Sequence, residues 1–508
     1  MKRLTTSEYI RQPWYKKVLY KIVCFFAAIG LYFARFGSTI GRGVTACCKG
    51  IGRELSDLVK TFVKGSWITK VSYVIMGFGN LLRGQIMRGL VFLGFEAVFI
   101  FYMITTGIDR IAMLKTLGTE AVRLVYDPIL DVYSNEPADN SFFILLYGLL
   151  SIIFCIAFIW AWRENIRQNR ISEELLGKGK KLATARQDLK ALVDDKFYKT
   201  LLALPMTGII VFMVLPIVFM IFIAFTNYDA QHNGYTVLFQ WVGLENFRNL
   251  FSASSGSNLG YTFVHILGWT LVWAFFATFT NYFLGIVVAM MINKKGIRFK
   301  KMWRGILVLT IAIPQFVSLM YVSKLFSKNG LVNGFLMKLG LIEWPIEFWQ
   351  NSTYARILVI LINIWIGIPY LMLIATGILM NIPQDLYESA RIDGANTFQQ
   401  FRKITLPYML FVTGPYLLTS FIGNINNFNV IYLLTSGGVV ANPKYTVFGT
   451  SASDTDLLIT WLFNITTGAT TDYKLAAVIA IMIFVVVSVI SVIAYNAMPS
   501  NKNEEDFQ

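Results

Sequence analysis

Long apolar stretches separated by short polar or basic ones set the frame of this 508-residue chain. Eight of them have the ~20-residue length and the apolarity that a helix needs to cross a bilayer. They run approximately over Gly89–Gly107, Ser141–Trp162, Leu201–Phe225, Phe263–Ile292, Gly305–Phe326, Arg356–Met380, Tyr408–Leu434 and Leu475–Ala497. A further stretch, Val18–Ala34, is short and contains Lys21, so it is expected to lie in the interface. It ends in Tyr32-Phe33-Ala34-Arg35-Phe36 and lacks the small-residue site of a cleaved signal peptide. The pattern predicts an all-α, polytopic transmembrane bundle of eight spanning helices with an N-terminal interfacial helix.

Charge orients these segments. The loop Arg163–Lys199 holds ten basic residues and Lys294–Arg304 holds six, whereas Asn227–Tyr261 carries only Arg248, and Thr435–Lys474 only Lys444 and Lys474. Basic loops stay on the cytoplasmic side, so both termini and the loop 382–407 are expected there. A spanning Val18–Ala34 would put Arg42, Lys49, Arg53, Lys60, Lys64, Lys70, Arg83 and Arg88 outside, against that rule. The net charge of +16 is therefore read as topology, with no nucleic-acid partner, and 56% hydrophobic residues with a mean hydropathy of +0.57 exclude a soluble globular chain. The expected organisation is a basic cytoplasmic region 1–88 with the interfacial helix, two additional spans and a basic loop over 89–199, a core over 200–498 that includes the loop 382–407, and a tail 499–508.

Little in the chain is equipped for covalent chemistry. Cys24, Cys47, Cys48 and Cys155 show no disulfide or zinc spacing, and His232 and His265 have no carboxylate or cysteine at motif distance. No catalytic and no metal-binding residue is expected. There is no GxxxxGK[ST]; the nearest cluster, Gly177-Lys178-Gly179-Lys180-Lys181, has the wrong spacing. Glu96, alone in the first span, is expected to be a satisfied structural contact rather than part of a proton relay.

Between two apolar segments lies the charged island Glu388–Pro407. Ile392, Ala395, Phe398 and Phe401 recur at roughly helical spacing, Gly394 interrupts them, and Pro407 closes the stretch. The reading is helix, glycine bend, helix, lying across the end of the bundle. Two spans also carry polar lines. Asn363, Ile366, Gly367 and Tyr370 follow i, i+3, i+4, i+7, and Ser420, Gly423, Asn424 and Asn427 repeat that spacing. Uncharged amides and hydroxyls donate and accept hydrogen bonds, as paired sugar hydroxyls require, and Tyr370 or Trp365 could cover a pyranose face. Helix packing alone can also use small and polar residues in this way.

Glu388-Ser389-Ala390, Gly394 and Ile404-x-Leu406-Pro407 resemble the EAA loop of ABC-importer permeases, whose sugar-importer form is EAAxxDGAxxxxxFxxIxLP; Ser389 stands where alanine is usual. Asn363–Tyr370 and Ser420–Leu434 are similar to helices of the MalF-type permease subunits of maltose and maltodextrin importers. The likeness extends over roughly Leu201–Ala497, which implies the six-helix core of a type I importer. It implies ATPase coupling by Glu388, Ser389, Ala390, Asp393 and Gly394, and substrate binding by Asn363, Ile366, Gly367, Tyr370, Ser420, Gly423, Asn424 and Asn427.

The implied partners are a MalG-like second permease, two ATP-binding subunits that use ATP and Mg, an extracellular lipid-anchored solute-binding protein, an oligosaccharide and membrane lipids, with no cofactor in this chain. The implied location is a bacterial cell membrane. Gly423 replaces an aromatic ring of the maltose permease and Ile311 a tyrosine. The loop Asn227–Tyr261 lacks the large insertion of enteric relatives, and with Ser72–Asn80 it resembles the Gram-positive type. The alternatives are import of another neutral oligosaccharide and, at a greater distance, a membrane glycosyltransferase.

Overall fold

The computed structural model describes Pro13 and residues 41–497, apart from 44, 47–48, 123, 128–131, 136–137, 252–257, 295, 436–441, 446–451 and 469. The expected interfacial helix Val18–Ala34 and the tail 499–508 lie outside the described residues. The chain forms two compact units, Met1–Phe219 with Gly234–Leu238, and Met220–Asn233 with Phe239–Gln508.

In the first unit α1 (residues 49–64), α2 (Trp67–Val71) and α3 (Phe78–Leu82) precede α4 (Ile86–Met113) and α5 (Ser141–Gly177). A small antiparallel hairpin, β1 (Leu124–Asp127) with β2 (Val132–Asn135), interrupts the otherwise helical chain. Aromatic rings join α4 to α5: Phe99 stacks on Phe158 at 3.9 Å, and Tyr102 meets Phe154 edge-on while its hydroxyl lies 2.9 Å from that of Ser151.

At about 1.5 Å per residue, α5 measures roughly 55 Å and outreaches a ~30 Å hydrocarbon core. Its polar end beyond Trp162 receives the turn between α2 and α3. Asn165 accepts from the Gly77 N–H at 3.0 Å and donates to the Ser72 carbonyl at 2.9 Å. Arg83 donates to Asn169 and to Thr69, each at 2.6 Å, while Glu173 accepts from the Ser66 N–H at 2.7 Å. Gly77 adopts φ 80°, and a Cβ on Gly79 would stand 2.0 Å from Asn169 Oδ1, so this close approach requires glycine. Glu96, only 8% exposed, accepts from the Met76 N–H at 2.8 Å. Its expected structural partner is thus a backbone amide of the same turn.

α6 (Phe197–Ile223) carries the chain into the second unit. There α7 (Leu259–Asn293) is the axis on which α10 (Ser352–Leu379) and α12 (Leu406–Ile425) both pack. One apolar cluster gathers Trp269, Trp273, Leu358, Val359 and Ile431; a second gathers Tyr282, Ile286, Met372 and Met409. α8 (Lys300–Ala312), α9 (Gln315–Leu325), α11 (Gln384–Ile392), α13 (Phe428–Thr435), α14 (Leu458–Thr467) and α15 (Tyr473–Ala497) also belong to the unit, with two short helices, Glu245–Phe251 and Leu331–Lys338.

Among the described residues seven helices are long and apolar enough to span, and α8 with α9 makes an eighth only as a pair bent by 90°. The straight span expected over Gly305–Phe326 therefore has a corner. Pro314 supplies no N–H and forces Ile313 to an extended φ −80°, ψ 125°. The helix expected over Tyr408–Leu434 also breaks, after Ile425. Asn427 then accepts from the Val430 N–H at 3.2 Å and starts α13.

Candidate functional site

The polar residues of α10 and α12 separate into a buried seam and an open face. Asn363 is buried, and its carbonyl accepts from Asn281 of α7 at 3.4 Å. Gly367 lies against the same amide: a Cβ there would stand 2.3 Å from Asn281 Nδ2. Asn424 donates to Thr278 of α7 at 2.9 Å, its carbonyl accepts from the Trp273 indole at 3.1 Å, and its Oδ1 accepts from Asn427 at 3.3 Å. Asn281 Oδ1 and Asn363 Nδ2, an acceptor and a donor, are buried with no hydrogen-bond partner among the described residues. An unpaired buried amide costs about 1–3 kcal/mol, so these two atoms favour any polar group that reaches them.

The open face is different. Tyr370 is 51% exposed, and its ring centroid lies 6.4 Å from that of Tyr416. Ser420 bonds the Tyr416 side chain one turn further along α12. Gly423 borders open space, with no described residue within 4 Å of an added Cβ; Ile311 of α8 is exposed, and Trp365, also exposed, lies about 140° around α10 from Tyr370 and so does not share its face. Ile366 is half-buried against the first cluster. The single face expected over Ser420, Gly423, Asn424 and Asn427 extends only to Asn424, because Asn427 lies past the helix end.

Two contributors were not singled out in the sequence. On α7, Thr278, Asn281, Tyr282 and Gly285 also follow i, i+3, i+4, i+7. Tyr282 meets Thr413 of α12 at 2.7 Å, and a Cβ on Gly285 would stand 2.6 Å from Leu371 Cβ of α10. Tyr416 is the other; its spacing to Ser420 and Gly423, i, i+4, i+7, was available as a signal.

The charged island folds as α11, a bend, and a short helix Thr397–Gln400 that continues into α12. Gly394, at φ 78°, closes α11: its N–H bonds the Arg391 carbonyl at 3.0 Å, and the Ala395 N–H reaches the Ala390 carbonyl at 2.8 Å. These two bonds form a Schellman motif, which needs a left-handed residue. Asn396 and Gln399 exchange 2.8 Å bonds that cap the next helix. The hydroxyls of Tyr387 and Thr405 lie 2.9 Å apart and tie α11 to the foot of α12. Glu388, Ser389, Asp393 and Gly394 are exposed and Ala390 half-buried. Beside them Ile392 is 87% and Phe398 68% exposed, so the element presents two apolar knobs within a charged rim.

Elsewhere in the second unit, Asp454 accepts from Ser352 and Asn442, and Arg356 donates to its carbonyl at 2.8 Å while covering the Trp269 ring at 4.7 Å. Burial, reinforced by Asp454, pushes Tyr445 up to about 12. Burial also acts to raise Asp229, but hydrogen bonds from Lys474 and His232 outweigh it and hold this carboxyl down at about 2. Among the described residues no group of three or more His, Cys, Asp or Glu side chains gathers to hold a metal.

Residues 281–500 match the family model described as the binding-protein-dependent transport system inner membrane component. Over 85% of this chain and 95% of the relative, the sequence is 34% identical to the maltodextrin transport system permease protein MdxF of Bacillus subtilis. It is 33% identical to the galactooligosaccharides transport system permease protein GanP of the same organism, over 85% of this chain and 97% of the relative. With the maltose/maltodextrin permease protein MalF of Escherichia coli the identity is 35% over 52% of this chain and 50% of the relative. A solved bacterial ABC transporter that imports alginate superposes at a TM-score of 0.47 with 22% identity, covering 63% of this chain and 99% of that one.

Proposed function

This chain belongs to the MalF-type permease subunits of binding-protein-dependent ABC importers, and from that premise we propose that it carries malto-oligosaccharides across the cell membrane. The chain is a multi-pass membrane protein and not an enzyme. In the proposed assembly it pairs with a second, MalG-like permease. Two ATP-binding subunits, which use ATP and Mg, drive the pair, and a lipid-anchored binding protein delivers the sugar from outside. Both termini lie in the cytoplasm.

The observation that carries the coupling half of this reading is the α11 bend. Its exposed rim of Glu388, Ser389, Asp393 and Gly394 around Ile392 and Phe398 suits a cleft on an ATPase subunit, and the Schellman closure with the Tyr387–Thr405 tie makes it one rigid piece with α12. Movement of that cleft would tilt α12 against α7. The Asn424–Thr278 and Gly367–Asn281 contacts would then be remade, a population shift driven by ATP in the partner subunits. On the sugar side, Tyr370, Tyr416, Ser420 and Gly423 form the open face, with Asn363, Ile366, Asn424 and Asn427 behind or beside it. Gly423, which borders open space, leaves room on this face for the sugar.

A second reading rests on the nearly equal identity to a galactooligosaccharide permease. Uptake of labelled maltotriose by cells carrying the complete system separates the two. Competition by maltose and maltodextrins, with no effect of galacto-oligosaccharides, supports the proposal. No uptake of labelled maltotriose, with uptake of a labelled galacto-oligosaccharide instead, replaces it.

A further inference from the structure

The first unit carries a surface helix with three distinct sides. At about 100° per residue, Ile51, Phe62, Leu55, Val59 and Val63 fall within one arc of roughly 120°, and all five are exposed. Lys49, Arg53, Lys60 and Lys64 occupy a second arc of about 60°, across the helix. The third side faces the protein. Glu54 pairs with Arg163 at 2.5 Å, Asp57 stands 3.9 Å from Arg170, Thr61 is buried, and the Leu58 carbonyl accepts from the Tyr73 hydroxyl at 2.7 Å. Both carboxylates of the helix's middle pair with arginines of α5 while staying about half exposed, and the cationic arc itself carries no carboxylate.

The segment that follows also exposes apolar side chains. Trp67, Val74, Ile75 and Leu82 of the α2–α3 segment are exposed, and α4 begins its span directly afterwards. Trp162 donates its indole N–H to the Tyr73 carbonyl at 2.9 Å, where the apolar part of α5 gives way to Arg163 and Glu164. Tryptophan at such a boundary marks headgroup depth.

We propose that α1 and the α2–α3 segment form a collar that lies in the membrane interface and binds anionic lipid. Ile51, Leu55, Val59 and Val63 insert among the acyl chains, and Lys49, Arg53, Lys60 and Lys64 hold phosphate headgroups. A helix with one apolar and one cationic side, carried next to a spanning segment, has this surface as its matching partner. The continuity with α4 favours lipid over a protein partner.

The test uses the full transporter in nanodiscs, with the native cysteines replaced and an environment-sensitive fluorophore on Val59→Cys or, separately, on Lys60→Cys. The collar predicts that lipid-borne nitroxide quenches the label at 59 and aqueous iodide the label at 60. It also predicts that lipid quenching at 59 weakens when phosphatidylglycerol is replaced by phosphatidylcholine, or when Lys49, Arg53 and Lys64 are all changed to Gln, by about five-fold in partition per basic residue and about a hundred-fold for the three together. ATP hydrolysis stimulated by the binding protein reports that the labelled complex is intact. Iodide access at 59, or protection of 59 from both quenchers, would overturn the proposal; the second result assigns the apolar arc to another subunit.

Discussion

Gly367 of α10 and Asn281 of α7 meet with no room for a methyl group between them, since a Cβ on Gly367 would stand 2.3 Å from the Asn281 amide nitrogen. The notch that resembles a sugar-binding position is thus also a helix–helix contact. Gly423, on the facing helix α12, borders open space.

Gly367→Ala and Gly423→Ala should therefore differ. Overpacking at the first costs about 1–3 kcal/mol, and its thermal midpoint in detergent should fall, while Gly423→Ala stays within about 0.5 kcal/mol of the parent. Equal midpoints for the two variants would show that the α7–α10 seam can relax around the added methyl.

Glu388→Lys reverses charge on the exposed side of α11 without touching a packed contact. It should abolish uptake while the complex still co-purifies; normal uptake would remove Glu388 from the coupling role. Gly394→Ala strains a left-handed position by about 1 kcal/mol and should lower uptake less than the charge reversal does.

Asn424 and Thr278 share a 2.9 Å hydrogen bond between α12 and α7. Asn424→Ala should lower transport and leave sugar binding by the external protein unchanged. In a double-mutant cycle with Thr278→Val, stability should show a coupling of about 0.5–1.5 kcal/mol. Strict additivity would remove the Asn424–Thr278 bond from the forces that hold α12 to α7.

How much of this was visible in the sequence differs from part to part. The bend at Gly394 was legible, because a glycine between two helical patterns and a capping Asn396 leave the backbone few options. The corner at Pro314 was not: span length and hydropathy register how apolar a segment is and are blind to its direction, although Pro314 itself was the cue. The contribution of α7 was hidden because Thr278, Asn281, Tyr282 and Gly285 are scattered among aromatic residues in a helix read as uniformly apolar. The network around Arg83 was beyond reach, since Gly77 and Asn165 are 88 residues apart and Thr69 and Glu173 are 104 apart.

The tie between Asp229 and Lys474 carries a pH dependence. The folded carboxyl titrates at about 2, below its ordinary 3.8. The unfolded chain thus binds the proton first as pH falls, and the tie's contribution is complete above about pH 4 and lost as pH falls through about 2. Between pH 7 and 5 the thermal midpoint of the parent should owe no change to this pair. Asp229→Asn should lower the midpoint at pH 7, and the gap to the parent should close toward pH 2. A gap of the same size at every pH would assign the effect to packing.

Coupling of malto-oligosaccharide transport to a partner's ATP hydrolysis through α11 has a decisive readout. ATP hydrolysis by the complex reconstituted with its binding protein, measured across linear and branched oligosaccharides for the parent and for Glu388→Lys, tests it most directly. Malto-oligosaccharides should stimulate the parent and leave the variant at its basal rate. Stimulation by a different glycan alone would contradict the assigned substrate, and undiminished stimulation of Glu388→Lys would contradict the assigned coupling.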